Sequence, residues 1–208
     1  MLKIWDLPTR VYHWLQALLF TGLVLSGYGL AWSEKQHQAF GILLFTLIIW
    51  RIIWGIIGSE TDKFVSFFPT KQRMFDYLRD SKVRSIGHNP LGGLMVIIMI
   101  LLLLIQGVTG FYLSSLVDGK ALLGRQTLKI LEETHVINAL LLEGCSIFHI
   151  IAIAVYKIKG QPLVKAMITG NVKVTASLKQ PALASKRSAL FMFFASVCIV
   201  LLMIILNR

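Results

Sequence analysis

Five apolar runs separated by short polar stretches set the pattern of this chain: Tyr12 to Ala31, His37 to Ile57, Leu91 to Leu116, Val136 to Tyr156 and Ala189 to Leu206. Each approaches or exceeds the roughly 20 residues that cross a hydrocarbon core as an α-helix. Backbone groups in lipid must be bonded within their own segment, so unbroken runs of this length predict helices. The expected architecture is all-α, an integral membrane protein of five helices in one domain. The first run starts close to the N-terminus and is longer than the apolar core of a cleaved signal peptide, so it is read as a span.

Composition agrees, with 56% of the 208 residues hydrophobic and 15% charged. The net charge of +11 raises nucleic acid as a partner, but the location of the charge argues against it. Lys63, Lys71, Arg73, Arg79, Lys82 and Arg84 fall between the second and third runs, and Lys157, Lys159, Lys165, Lys173, Lys179, Lys186 and Arg187 between the fourth and fifth. The opposite connections are nearly balanced, with Glu34 and Lys35, then Asp118, Lys120, Arg125, Lys129, Glu132 and Glu133. The positive-inside bias places the N-terminus and both basic loops in the cytoplasm and the C-terminus outside. The basic surplus then serves topology and anionic headgroups of the lipid bilayer, with no nucleic acid involved. Cys145 and Cys198 lie in separate apolar segments, and the chain has no Cys-x-x-Cys-His for covalent haem attachment.

The candidate chemistry lies in the histidines. His135 and His149 are 14 residues apart in one run, which on a helix places them within about 40° of one stripe and roughly 21 Å apart along the axis. One helix can thus carry two metal centres at different depths, and haem iron accepts axial histidine. Depth sorts the rest: His13 opens the first run from the cytoplasmic side and His37 opens the second from outside. His37 then matches His135, and His13 matches His149. A single intramembrane histidine is usually a satisfied polar residue, but four ionisable side chains sorting into two matched pairs mark function.

Other residues join these stripes. Gly27 lies 14 residues past His13 and Gly55 lies 18 past His37, giving room for a porphyrin or simply packing helices closely. Arg51, 14 residues past His37, faces either haem propionates, which suit its fork, or the cytoplasmic headgroups. Arg10 has the same two readings. His88, in the turn-rich start of the third run, is expected to hydrogen-bond a propionate or a quinone, or to cap the helix. Glu143 is a proton relay or a partner of another helix.

Three stretches carry a resemblance: Trp5 to Trp14 (Trp-Asp-Leu-Pro-Thr-Arg-Val-Tyr-His-Trp), Trp50 to Gly55 (Trp-Arg-Ile-Ile-Trp-Gly) and Gly87 to Gly93 (Gly-His-Asn-Pro-Leu-Gly-Gly). Together, over about residues 3–158, they resemble the prokaryotic cytochrome b561 family, which includes the cytochrome b subunits of nickel-iron hydrogenases. The resemblance implies a four-helix haem-binding bundle over 1–158; the fifth apolar run departs from that form, and its isolation by a basic linker over 159–188 and its lack of histidine make 189–208 an accessory helix for packing or partner docking. It also implies two non-covalent b haems, on His13 with His149 and on His37 with His135, the same pairing that depth gives. It further implies a bacterial inner membrane location and electron transfer in a respiratory chain, between quinone and a c-type cytochrome or hydrogenase-type subunit. Two other readings remain: superoxide:quinone oxidoreduction without a partner subunit, drawing an anion to Lys120, Arg125 and Lys129, and a haem-free or zinc-bearing scaffold.

Overall fold

The computed structural model describes residues 1–79, 87–173 and 179–207, without the side chains of 119–121. Lys82, Arg84 and the Lys120 side chain therefore lie outside the described residues. In chain order the elements are β1 (Leu2–Lys3), α1 (Leu7–Gly27), α2 (Glu34–Ile57), α3 (Phe64–Phe67), α4 (Lys71–Arg79), α5 (Pro90–Leu113), α6 (Gly119–Ile158), α7 (Leu163–Thr169), β2 (Asn171–Val172) and α8 (Lys186–Leu206).

Helix starts follow from local chemistry. Asp6 caps α1, its Oδ1 accepting from Thr9 N at 2.7 Å, with Pro8 in the first turn. The helix therefore begins five residues before the apolar run. The Gln36 side chain reaches back to accept from Ser33 N at 2.7 Å, closing the first turn of α2. Asn89 caps α5, accepting from Gly92 N at 2.7 Å. That role, considered above for His88, belongs to its neighbour.

Among the described residues α2, α5, α6 from Leu122 onward and α8 are long and apolar enough to cross a membrane. α1, the first of the five expected spans, falls short of that apolarity. α1 has the length, 21 residues, but Arg10, His13 and Gln16 dilute its first half. It stands in the bundle because it packs along α2. α6 also runs far beyond the expected fourth span, because residues 125–143 contain neither Gly nor Pro and include good helix formers such as Leu, Lys, Gln and Glu. Its one break is at Gly124, where φ is 75°.

α2 sits at the centre, packing on α1, α5 and α8, while α6 packs chiefly on α5. Leu44 and Ile48 of α2 meet Leu103 of α5 and Leu142 of α6 in one core cluster. Tyr12, Leu47, Trp50, Trp54 and Ala189 form a second, which fastens α8 to α1 and α2. There Trp50 Nε1 donates to the Ala189 carbonyl at 3.0 Å. Outward-facing apolar side chains such as Ile137, Phe148 and Ile150 on α6 stay exposed, the surface that lipid requires.

The end of the bundle where the chain starts carries a cap. β1 pairs antiparallel with β2, Leu2 opposite Val172 and Lys3 opposite Asn171. Leu2, Ile4, Trp5 and Ala166 pack beneath this pairing. Thr61 Oγ1 donates to the Ile4 carbonyl at 2.6 Å, Ser59 Oγ donates to Asp6 Oδ2, and Glu60 and Ala182 exchange two hydrogen bonds of 2.9 Å. Much of the stretch between the fourth and fifth apolar runs is thus docked on the N-terminal residues.

A Cβ on Gly93 would run into the Phe67 carbonyl, so α5 passes α3 only because this residue has no side chain. Gly93→Ala is expected to destabilise the protein by about 1–3 kcal/mol, read as a lowered melting temperature in detergent.

Candidate functional site

The four intramembrane histidines meet in two pairs. His13 of α1 faces His149 of α6 with ring centroids 6.5 Å apart, and His37 of α2 faces His135 of α6, also at 6.5 Å. Both pairs thus draw one member from α6. Around the second pair, Ser26 Oγ lies 2.9 Å from His37 Nδ1 and Thr109 Oγ1 lies 2.8 Å from His135 Nδ1. Gly27 is beside His37, where an added Cβ would stand 3.5 Å from Cε1. Gly110 does the same for His135 at 3.0 Å.

The two ends differ in polarity. Among the described residues the buried side-chain atoms without a hydrogen-bond partner are Thr9 Oγ1, His13 Nδ1, Arg51 Nη1, Trp54 Nε1, both Asp62 oxygens and His88 Nδ1. All belong to the N-terminal end of the bundle, around His13. Arg51 is only 3% exposed, so it does not reach out to the headgroups. Its guanidinium lies 5.1 Å from the centre of the Phe64 ring. Phe64 also occupies the space left by Gly55, where a Cβ would collide with it. Arg10 is engaged with the cap, donating from Nε to the Asp6 carbonyl at 3.2 Å and from Nη1 to the Ile168 carbonyl.

His88 sits between Trp5 and Phe67, at centroid distances of 4.8 and 4.7 Å. Burial pushes its pKa down to about 3, helped by the charge of Arg51 and then by His149 and His13. A neutral imidazole in this position offers a hydrogen bond rather than a charge. Burial pushes the Asp62 carboxyl the other way, up to about 7, with the Asp6 carboxylate adding to the rise and Arg51 opposing it.

A comparison with family models matches residues 4–170 to the prokaryotic cytochrome b561 family. The chain belongs to that family. Its curated relatives include the probable Ni/Fe-hydrogenase B-type cytochrome subunit of Rhodobacter capsulatus, 25% identical over 42% of this chain and 45% of the relative. The corresponding protein of Rhizobium leguminosarum bv. viciae is 25% identical over 54% and 59%, and the Ni/Fe-hydrogenase 1 subunit of Escherichia coli K12 is 21% identical over 54% and 60%. The chain thus spans about half the length of the relatives it matches. No solved structure matches it.

A cytochrome b561 is a helical membrane protein of the b-type, so the cofactor class is haem b, and the histidines test whether it fits. A metal midway between two imidazoles needs about 2 Å to each ligating nitrogen, and each nitrogen lies roughly 1 Å from its own ring centre, about 6 Å in all between centroids. Both pairs have that separation. The unpartnered donors Arg51 Nη1 and His88 Nδ1 are what a buried carboxylate-bearing group would satisfy.

Sequence reasoning singled out the histidines and Gly27 but passed over Ser26, Thr109 and Gly110. A signal was present: Ser-Gly and Thr-Gly each fall in the last turns of an apolar run at the depth of the His37/His135 pair. Glu143 accepts from Tyr28 Oη at 3.0 Å, tying α6 to the end of α1. Asn138, three residues past His135, donates to the Leu102 carbonyl at 2.9 Å and to Gln106 at 2.6 Å on α5.

The raised pKa of Asp62 makes a stability prediction. Between its ordinary value of 3.8 and about 7, the folded protein holds a proton that the unfolded chain releases, so stability from this group is lost as pH rises. Asp62→Asn cannot ionise. It is expected to melt higher than the parent above about pH 7, the difference closing toward about pH 4, in detergent thermal melts across that window.

Proposed function

We propose that this cytochrome carries two non-covalent b haems, one held by His13 and His149 and the other by His37 and His135, and conducts electrons across a bacterial inner membrane. The observation that carries the reading is the pair of equal 6.5 Å imidazole separations, both reaching α6. The 14-residue spacing on α6 sets the two sites about 21 Å apart along its axis. With two histidines to hold each haem, a group bound there would supply one-electron transfer rather than oxygen binding.

The protein's own part is to orient and to insulate. Ser26 and Thr109 hold the rings of His37 and His135, and the apolar cores of the helices keep water away. At the N-terminal end Arg51 and His88 are the groups for propionates, with Thr9 and Trp54 as further donors. Arg10, with its Nε and Nη1 on the cap, has its second terminal nitrogen left for the same task. With the basic segments in the cytoplasm, the N-terminus lies inside and the C-terminus in the periplasm.

The partners that fit are a membrane quinone and a periplasmic redox protein, either a hydrogenase-type subunit, as the names of the relatives suggest, or a c-type cytochrome. The open cleft of about 420 Å³ at the far end includes Asp118 and Glu132 as well as Arg125 and Lys129. Among the described residues this lining is balanced and has little net field to draw a small anion, which weighs against superoxide.

A reduced-minus-oxidised spectrum with pyridine haemochrome quantitation on purified protein is expected to give two b haems per chain. His149→Ala is expected to lose one haem and His37→Ala the other, with the remaining haem at a different midpoint potential in each variant. Retention of both haems in either variant would refute the pairing.

A further inference from the structure

The His37/His135 pair is seated by a device that occurs twice. On α1, Ser26 Oγ bonds the carbonyls of Gly22 at 2.7 Å and Leu23 at 3.2 Å as well as His37 Nδ1 at 2.9 Å. On α5, Thr109 Oγ1 bonds the carbonyls of Ile105 at 2.9 Å and Gln106 at 3.1 Å as well as His135 Nδ1 at 2.8 Å. In both cases the next residue is glycine: a Cβ on Gly110 would crowd the His135 ring at 3.0 Å, whereas one on Gly27 would meet His37 at an ordinary contact distance of 3.5 Å.

A hydroxyl has one proton. Donated to a carbonyl of its own helix three or four residues back, it leaves a lone pair for the imidazole. Nδ1 then carries the ring proton and donates, and Nε2 keeps its lone pair to ligate a metal. In that arrangement α1 holds a histidine of α2 in the ligating tautomer, and α5 holds one of α6. The other pair has no such arrangement: His13 Nδ1 is buried without a partner, and among the described residues no side-chain hydrogen bond reaches His149.

We infer that Ser26 and the Thr109-Gly110 pair are positioning elements that orient both ligands of the His37/His135 centre and lower its reduction potential, a control that no described side chain gives the His13/His149 centre. The inference rests on the bis-histidine reading above. An Nδ1 proton given to an oxygen leaves more electron density on Nε2, which stabilises ferric over ferrous iron in the one-electron couple. Removing the hydroxyl withdraws that support and makes the centre easier to reduce.

The test is redox titration, with electron paramagnetic resonance of the oxidised state, on the purified full chain carrying Ser26→Ala or Thr109→Val. The His37→Ala and His149→Ala proteins assign each midpoint. Both hydroxyl variants are expected to keep two haems and to raise only the His37/His135 midpoint. The expected shift is about tenfold in the reduction equilibrium, ~59 mV for one electron. The low-spin signal of that centre should move with it, and Ser26→Thr and Thr109→Ser should restore both. Haem loss that the hydroxyl-retaining variants reverse also supports the inference. An unmoved midpoint, an equal shift in both centres, or failure of those variants to restore the parent behaviour would overturn it while leaving two-haem binding intact. A parent chain with fewer than two haems would overturn the bis-histidine reading and this inference with it.

Discussion

Two imidazole pairs, each with ring centroids 6.5 Å apart, both draw one member from α6. The two histidines of α6 set the depth of both pairs, and the partners on α1 and α2 have to match them. The rest of the bundle follows from that requirement. α2 lies centrally, with His37 and Arg51 toward opposite ends of one helix, α5 braces α6 through Asn138 and Thr109, and α1 completes the arrangement through His13 and the Tyr28–Glu143 contact.

The two ends are built on opposite principles. At the His37/His135 end the polar groups are few and partnered, with each hydroxyl spent on its own helix and on a ring nitrogen. At the His13/His149 end, buried donors and acceptors without a partner among the described residues gather around Arg51, Asp62 and His88. Such atoms are costly to bury, and here they lie beside aromatic and aliphatic side chains that are themselves well buried.

Much of this was legible in the sequence. Apolar run length gave the helices, and the 14-residue histidine spacing gave the pairs that the structure brings together. Helix boundaries were less legible, because capping by Asp6 and Asn89 starts α1 and α5 in polar sequence that hydropathy assigns to loops. α1 is less apolar than the other long helices, and its polar residues are accommodated by neighbours that a linear pattern does not show. The role of Gly55 depended on Phe64, nine residues on and past the end of α2. The hydroxyls of Ser26 and Thr109 were missed because Ser and Thr in apolar helices usually bond only their own backbone, and only the fold brings a ring nitrogen to them.

The antiparallel pairing of Leu2–Lys3 with Asn171–Val172 joins residues far apart in the chain. During synthesis Leu2–Lys3 has no strand partner until α1 to α7 have been made. The cap over the His13/His149 end therefore closes only after the helices that carry that pair exist. The sealing of this end is a matter of assembly order as much as of contacts in the finished protein.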